Sequence, residues 1–325
     1  MSRNSSPGKN ERHNNQHLVT QESVIDDELL EKMLVSSGIA GRFRHSYTCD
    51  STNDVLKKLS QSILLRESQR LNSFVKPPSF NDNPVEWANQ ILAPRELPFV
   101  LVADEQTAGR GRQSNTWWTG SGSLALSMLL NAKQHGLKPQ HSAHLSLAIG
   151  LATMQALKVI TKWTLDIEED DGDKYTAAMP KIEIRWPNDV YVNDRKITGI
   201  LIEAPNMHHI VIGIGVNTNN SAADAPEEIR EKISTLSDVL GRKIDQPRFI
   251  YTLCREIMDI LNYFPSQLSQ LIENVEASLY QMGKMVNISR ENEQVTGKCL
   301  GLNPDGALRV LTEAGEVAVV SGVVI

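Results

Sequence analysis

Apolar residues at helical spacing mark several segments of the chain. One begins near Val24 and ends at Gly38, another begins at Ser51 or Thr52, either of which can cap it, and the long apolar segment Ala143–Trp163 is a third. From Pro226 to about Glu276 the pattern is again mostly helical. In the first segment the predicted buried stripe consists of Leu29, Leu30, Met33 and Leu34.

Short apolar runs predict strands between these helices. "FVLVADEQ" and "GSLALSMLL" are typical of buried strands, and they flank the loop segment "TAGRGRQSNTWWTG". "KIEIRWPNDVYVNDRKITGILIEA" predicts strand, turn and strand, with the turn at Asn193-Asp194. Strict alternation places Lys196 and Thr198 on one face of the returning strand and Gly199 on the other. "HIVIGIGVNTN" predicts a further strand that ends in glycines and asparagines.

The pattern also divides the chain into domains. Residues 1–23 are rich in Ser, Asn, Gln and His, which predicts a disordered segment. Residues 24–274 mix sheet and helix and predict an α+β domain, with unassigned loops around 74–97 and in the acidic run 166–173. Residues 275–325 show short β-branched runs split by "NPDG" and "EAGE", which predict a small antiparallel β domain.

Composition narrows the functional classes. The chain has 325 residues, a formal net charge of −6 and no overall basic footprint, which argues against nucleic acid as its main partner. Its three cysteines lack metal spacing and predict a reduced, intracellular protein. The N-terminus has no apolar core of a secretory signal, and Gln155 and Lys158 interrupt the longest apolar run, which predicts a buried helix rather than a membrane span. We therefore expect a cytoplasmic protein without a membrane partner.

The loop that contains "GRGR", residues 107–117, is the first candidate for chemistry and is called the arginine loop. Gly109 and Gly111 allow the backbone to approach a ligand closely, and Arg110 and Arg112 carry planar donors suited to carboxylate or phosphate. After a buried strand such a loop can clamp an anion, although an exposed turn with two solvated arginines is an equally weighted alternative. Trp117 can stack on a planar ring or simply pack in the core.

Other polar residues have a structural and a functional interpretation as well. Asn188 and Asp189 can meet a nucleotide or its metal, or can serve the turn alone. Lys196 is a cation near a tight turn, and most such lysines are solvated. "DSTN" can cap a helix or bind the polar head of a ligand, and Asn217 in "GIGVNTN" lies either at a ligand or at a sheet-edge turn.

Taken together and in order, five features of the chain resemble the biotin protein ligase family, from about Val24 to Ile325. They are "DSTN", "DEQTAGRGRQ", "RWPNDVYVNDRKITGILIE", "GIGVN" and the β tail. The resemblance implies a mixed sheet packed with helices, followed by a small SH3-like β-barrel. It also implies that biotin is joined to a lysine of a biotin carboxyl carrier domain, as in acetyl-CoA carboxylase or a related carboxylase. ATP and Mg²⁺ would be used, and biotinyl-5′-adenylate would be the intermediate.

The resemblance assigns roles to residues of this chain. Arg112 and Lys196 would be catalytic, because they neutralise the carboxylate and the α-phosphate that must meet. The metal ligands are left open, with Asp189 as a candidate. Biotin would be bound by Ser51, Thr52, Asn53, Gln106, Gly109, Arg110, Gly111, Arg112, Lys196 and Gly199, and ATP by Arg110, Trp117, Asn188, Asp189 and Asn217.

Some features depart from the family pattern. Arg185 replaces a usual lysine, and "QSNT" follows "GRGR" where many members have another basic residue. The segment before Ser51 is too short for the winged helix of repressor members, so we expect a ligase without repressor function. Family members differ in whether they dimerise, so a homodimer is left open.

The rivals to this interpretation belong to other classes. A lipoate ligase or octanoyl transferase shares the fold, but the transferase needs a cysteine nucleophile, and none of Cys49, Cys254 and Cys299 lies in a ligand motif. A biotin-responsive repressor would need a helix-turn-helix. A non-catalytic nucleotide-binding scaffold would need no cation such as Lys196 opposite the loop.

Overall fold

A computed structural model describes residues 25–70, 96–113, 115–138, 141–166, 178–290 and 293–325. The predicted disordered segment 1–23, most of the predicted loop 74–97 and nearly all of the acidic run lie outside these residues. The helices are α1 Asp27–Ser36, α2 Thr52–Arg70, α3 Ser142–Leu165, α4 Glu227–Arg230, α5 Leu236–Leu240, α6 Gln246–Tyr263 and α7 Leu268–Glu276. The strands are β1 Arg42–Cys49, β2 Phe99–Gln106, β3 Leu124–Asn131, β4 Ile182–Arg185, β5 Asp189–Val192, β6 Arg195–Glu203, β7 His209–Val216, β8 Met285–Arg290, β9 Glu293–Leu302, β10 Leu308–Thr312, β11 Gly315–Val319 and β12 Val323–Val324.

A mixed sheet forms the centre of the larger part of the fold. Its seven strands have the order β1-β2-β3-β7-β6-β5-β4. The β1–β2 pair is parallel and the other pairs are antiparallel. The apolar side chains of α3 and α6 belong to one core with the sheet, while α2 packs with β2, β3 and β7 in a second, smaller cluster. The sheet is therefore covered on both faces, which confirms the predicted α+β class.

Helix α3 fills the main core. Among the described residues, Ala143–Leu165 is the one helix long and apolar enough to cross a membrane, and 67% of its most apolar window is buried inside the fold. Leu145, Ile149 and Ile160 have no exposed surface and contribute to the main core. The prediction of a buried helix is confirmed.

The C-terminal residues form a second sheet of five antiparallel strands, in the order β11-β10-β9-β8-β12. This agrees with the small β-barrel that the sequence predicts, although the predicted boundary at 275 stays a prediction. Trp186 ties this sheet to the larger part of the fold. Its indole Nε1 donates to the carbonyl of Gly306 at 3.1 Å, and the Gln281 carboxamide bonds to its backbone N and O at 3.1 and 2.9 Å.

Helix α1 is attached by a narrower stripe than predicted. Leu30 and Leu34 are buried, but Leu29 and Met33 are 53% and 38% exposed, so half of the predicted stripe is wrong. The helix lies against β1 and is also held by His45, whose ring nitrogens lie 3.0 Å from Asp27 and 2.9 Å from Asp104. Burial lowers the pKa of His45, but the two carboxylates outweigh it and raise that pKa overall.

The segment from 182 to 203 differs from the prediction in two ways. It forms three strands instead of two, because the Trp186-Pro187-Asn188 turn separates β4 from β5. The alternation along β6 is also shifted: Val190 pairs with Thr198 but Tyr191 pairs with Lys196, so a bulge leaves Ile197 without a partner on β5. Lys196 and Gly199 consequently share a face, and the prediction that they lie on opposite faces is wrong.

A buried histidine makes stability depend on pH. The Ser60 hydroxyl lies 2.9 Å from His209 Nδ1 and accepts from the Asn206 carboxamide at 2.7 Å, so its proton is directed at an unprotonated Nδ1. Burial, with the nearby charge of His208, lowers the pKa of His209 to about 4. The unfolded chain, with a pKa near 6.5, binds this proton first as the pH falls.

We therefore expect His209 to cost stability on acidification. The free energy of unfolding should fall by about 2 to 3 kcal/mol between pH 6.5 and 4 from this group alone. Urea unfolding at several pH values should show a steeper pH dependence for the wild type than for His209→Asn, whose carboxamide oxygen can still accept from Ser60. The opposite contribution of His45 is present in both proteins and cancels. Parallel pH profiles would contradict the assignment.

Candidate active site

One cleft brings together most of the predicted site residues. It lies between the start of α2, the arginine loop (residues 107–117), the β4–β5 turn and the end of the C-terminal sheet, where Gly322 to Val324 form part of its wall. Gly109 and Asn217 do not line it. Gly109 is buried, and Asn217 is also buried, accepting from the Asn220 carboxamide at 3.1 Å. The predicted residues that do line it are Ser51, Thr52, Asn53, Gln106, Arg110, Gly111, Arg112, Trp117, Asn188, Asp189, Lys196 and Gly199.

The arginine loop is folded back on itself. The Trp117 N–H donates to the Gly109 carbonyl at 2.9 Å, and the Gly111 N–H donates to the Asn115 carbonyl at 2.8 Å. A Cβ on Gly109 would lie 2.5 Å from the Trp117 carbonyl, so glycine is required for this close approach. Both arginines face the cleft as a result, rather than standing in open solvent.

Trp117 lies on a patch of bare backbone. Gly199 on β6 pairs with Gly215 on β7, and a Cβ on Gly215 would lie 2.2 Å from the Trp117 ring. The corresponding distance for Gly199 is 3.1 Å. The indole Nε1 is buried and has no hydrogen-bond partner among the described residues. Two glycines that are neighbours across strands thus form the seat of the aromatic ring.

One end of the cleft, the neutral end, consists of uncharged polar groups that are hydrogen-bonded in series. Gln106 accepts from the Thr52 backbone N–H at 2.8 Å, and the Ser127 hydroxyl lies 2.7 Å from both Thr52 Oγ1 and Asn53 Oδ1. Ser51, Thr52 and Asn53 are almost fully buried. Gly213 makes room for this group, since a Cβ there would lie 2.2 Å from Asn53 Oδ1. This end therefore presents fixed neutral donors and acceptors.

A group of four charges lies beside the polar end. Arg110 Nη2 is 2.8 Å from Asp54 and 2.6 Å from Glu203, and Lys57 Nζ is 3.0 Å from Asp54 and 2.9 Å from Glu203. Burial raises the pKa of Glu203, but hydrogen bonds from Arg110, Asn53 and Lys57 outweigh it and hold that pKa below its ordinary value. The arginine is thus anchored by carboxylates of the protein itself.

The other end of the cleft is cationic. Lys196 Nζ lies 2.8 Å from Asp189 and 5.8 Å from the Trp117 ring centroid. Arg112 Nη1 donates to Asn188 Oδ1 at 3.3 Å, and among the described residues no carboxylate lies within ion-pair distance of it. Burial lowers the pKa of Arg112, partly offset by the charge of Asp189. A half-buried guanidinium without a carboxylate partner favours an incoming anion.

The described residues include no group of three or more His, Cys, Asp or Glu side chains that could hold a metal ion. Asp189 is the carboxylate of the cationic end, and it already pairs with Lys196. This donor set fits a magnesium ion that arrives with a triphosphate and keeps most of its ligands from phosphate and water. It does not fit a metal held by protein ligands alone.

Comparison with known proteins agrees with this geometry. The family model for the biotin/lipoate A/B protein ligase family matches residues 86–217, and the model for the biotin protein ligase C-terminal domain matches residues 282–325. Together these ranges cover more than half of the chain. The chain belongs to the biotin protein ligase family.

Individual members of the family are moderately similar to the chain. The bifunctional ligase/repressor BirA of Bacillus subtilis is 31% identical over 227 residues, which cover 66% of this chain and 62% of BirA. The biotin–[acetyl-CoA-carboxylase] ligase of Mycobacterium tuberculosis is 28% identical over 225 residues, 68% of this chain and 76% of that protein. The structure of the Aquifex aeolicus biotin protein ligase in complex with biotin and ATP is 26% identical, with a TM-score of 0.63, over 87% of this chain and 97% of that chain.

The sequence analysis missed several residues that line the cleft of this biotin protein ligase family member or support its walls. Gly213 and Gly215 were noticed in "GIGVNTN" but not assigned, because their partners Asn53 and Trp117 come from distant segments. Ser127 had a usable signal: it is the one polar residue inside the buried run "LALSMLL". The other missed residues are Asp54, Lys57 and Glu203.

The glycine seat of Trp117 can be tested directly. Gly215→Ala should displace the indole, because the new methyl group would overlap the ring. Acrylamide should then quench tryptophan fluorescence more strongly than in the wild type, with the increase limited to the share that Trp117 contributes among five tryptophans. Gly150→Ala is a matched control, since its Cβ would lie an ordinary 3.5 Å from Ile184. Quenching that is equal in both variants, or that persists in a Trp117→Phe background, would contradict this packing.

Proposed function

We propose that this chain is a biotin–[biotin carboxyl carrier protein] ligase that uses ATP and forms biotinyl-5′-adenylate. The observation that carries the proposal is a single cleft with a neutral polar end and a cationic end, separated by Trp117. Biotin has the matching layout, with a neutral urea ring at one end and a carboxylate at the other. Supporting it, the structurally similar Aquifex aeolicus protein is described as a complex with biotin and ATP.

The neutral end suits the urea ring of biotin. Ser51, Thr52, Asn53 and Gln106 offer hydroxyl and amide groups, which can donate to a urea carbonyl and accept from its N–H groups. Thr52 and Gln106 are fixed by hydrogen bonds to each other, and Asn53 is held by Ser127 and Glu203. A rigid neutral site leaves little ordering entropy to lose and no buried charge to compensate.

The cationic end suits the first chemical step. A carboxylate oxygen of biotin attacks the α-phosphorus of ATP, the new O–P bond forms, and the bond to the β-phosphate breaks to release pyrophosphate. Arg112 and Lys196 lower the repulsion between the two anions. Lys196 would exchange Asp189 for a phosphate oxygen, while Arg112 has no carboxylate partner to give up among the described residues. Mg²⁺ bound with the triphosphate would neutralise further charge, and Asp189 is the carboxylate available to it.

The second step needs no nucleophile from this chain. The lysine amine of the carrier domain attacks the adenylate carbonyl, an amide forms and AMP leaves. The cysteines do not suit the rival thioester chemistry: Cys254 and Cys299 are buried, and burial with the charge of Asp50 raises the pKa of Cys49 to about 11. None of the three lines the cleft. The geometry therefore favours the ligase over an octanoyl transferase.

The biological setting belongs to the same proposal. The acceptor is the biotin carboxyl carrier domain of acetyl-CoA carboxylase or a related carboxylase, and the compartment is the cytoplasm. The absence of nucleic-acid binding stays a prediction, because the relatives include bifunctional ligase/repressor proteins. Sedimentation with and without biotin would decide whether the chain is a monomer or a homodimer.

A mass assay tests the proposal. We expect the protein, with biotin, ATP and Mg²⁺, to add the mass of one biotin minus water to a carrier domain. Lipoate in place of biotin should give no product, and replacing the acceptor lysine by arginine should abolish the gain. Transfer of lipoate but not of biotin would overturn the biotin assignment.

Lys196 should carry the first step. Lys196→Ala is expected to slow biotinyl-adenylate formation by roughly 10² to 10³-fold, because a cation facing the developing charge is lost. Biotin-dependent exchange of labelled pyrophosphate into ATP measures this step without the carrier. Arg195→Ala is the matched control. The Arg195 side chain is next to Lys196 in sequence, but it is half exposed, pairs with Glu231 and does not line the cleft. An unchanged exchange rate in Lys196→Ala would remove the role.

A further inference from the structure

Glu203 stands at the end of β6 and connects two walls of the cleft without lining it. Its Oε2 accepts from Asn53 Nδ2 at 2.8 Å and from Arg110 Nη2 at 2.6 Å. Its Oε1 pairs with Lys57 Nζ at 2.9 Å. One carboxylate oxygen therefore joins the start of α2 to the arginine loop.

On the helix side, Glu203 fixes which way the Asn53 amide points. Asn53 Nδ2 donates to Glu203 and to the Leu201 carbonyl, and its Oδ1 faces the Ser127 hydroxyl. The side chain is 4% exposed and lies over Gly213, so it has no room to rotate freely. Because both Nδ2 acceptors lie at the end of β6, the donor and acceptor pattern of the polar end depends on that strand.

On the loop side, Glu203 and Asp54 hold a single nitrogen of Arg110. Both ion pairs use Nη2, while the buried Nε has no hydrogen-bond partner among the described residues. The group of Arg110, Lys57, Asp54 and Glu203 contains two positive and two negative charges. Removing the charge of Glu203 would leave two cations facing one carboxylate, and the attraction that holds the loop would weaken.

We propose that Glu203 is a positioning residue, which ties the arginine loop to the start of α2 and thereby slows opening of the neutral end of the cleft. It acts through Arg110 and Asn53 and does not contact the ligand. The identity of the ligand rests on the proposed function, whereas the restraint on the loop does not. Two measurements keep these parts distinguishable.

The first measurement follows the loop without any ligand. Limited trypsin digestion of the full chain should cut after Arg112 at least about fivefold faster in Glu203→Gln than in the wild type, since one strong restraint is lost. Asp54→Asn should act in the same direction, because it removes the other carboxylate from Arg110. Glu316→Gln is the matched control: its carboxylate pairs with Arg309 on the small sheet, away from the cleft.

Urea unfolding of the same variants separates loop opening from global unfolding. Faster cutting after Arg112 with an unchanged unfolding midpoint supports the proposal. A cutting rate equal to that of the wild type, or one that rises only in proportion to lost global stability, overturns it.

The second measurement separates positioning from general damage. Glu203→Gln should raise the KM for biotin roughly tenfold and leave the KM for ATP unchanged. Asn53 and Arg110 lie at the neutral end, and the anchoring of Arg110 by Asp54 and Glu203 argues against its predicted role in binding ATP. Lys57→Met removes the partner of Oε1 and one partner of Asp54, but both ion pairs of Arg110 stay in place, so both constants should change less than twofold. Equal increases in both KM values in Glu203→Gln would overturn the positioning role. If the wild type shows no biotin-dependent activity, the proposed function fails, and the trypsin result still decides whether Glu203 restrains the loop.

Discussion

The packing of Trp117 on the Gly199–Gly215 pair is the contact on which the geometry of the cleft depends. Two glycines opposite each other on antiparallel strands remove both side chains from one spot of the sheet, and the indole occupies that spot. The loop that precedes Trp117 must then fold back, so Arg110 is brought to Glu203 at the end of β6 and Arg112 to Asn188 in the β4–β5 turn. Without the bare patch, the loop would lose the contact that fixes Trp117 against the sheet, although the ion pair of Arg110 with Glu203 would remain.

The two ends of the cleft also differ in their balance of charge, and a single ligand must contact both ends. At the neutral end, charges are present but cancel: Arg110 and Lys57 are balanced by Asp54 and Glu203. At the other end, two cations lie near one carboxylate: Asp189 pairs with Lys196 and acts on Arg112 only through its charge, so an anion can complete the balance. The two arginines of the loop thus differ in their contacts. Arg110 is held by Asp54 and Glu203, whereas Arg112 has no carboxylate within ion-pair distance in the described part of the chain.

Local patterns predicted the elements well where neighbours in sequence decide the outcome. "FVLVADEQ" matches β2 residue for residue, and the buried helix Ala143–Trp163 is α3 within two residues at its C-terminal end. Prediction failed where a tertiary contact decides. The bulge that leaves Ile197 unpaired reversed the faces of β6. Leu29 and Met33 stayed exposed because β1 and α6 pack against the side of α1 that carries Leu30 and Leu34. Glu203 was missed for the same reason, since its partners lie about 93 and 150 positions away in sequence.

The two departures from the family pattern, "QSNT" and Arg185, can also be understood from the contacts that hold the walls of the cleft. "QSNT" carries no charge, but the contacts that hold the loop come from Arg110 and Trp117, which flank it. A loss of basic residues at 113–116 therefore leaves the restraints of the loop in place. Arg185 donates through Nη2 to the Val324 carbonyl at 2.9 Å and through Nη1 to the Tyr191 hydroxyl. A lysine has a single nitrogen and no rigid fork, so it could not hold the last strand and the β5 tyrosine in this planar arrangement. Since Val324 belongs to the wall of the cleft, the arginine makes the small sheet part of the site.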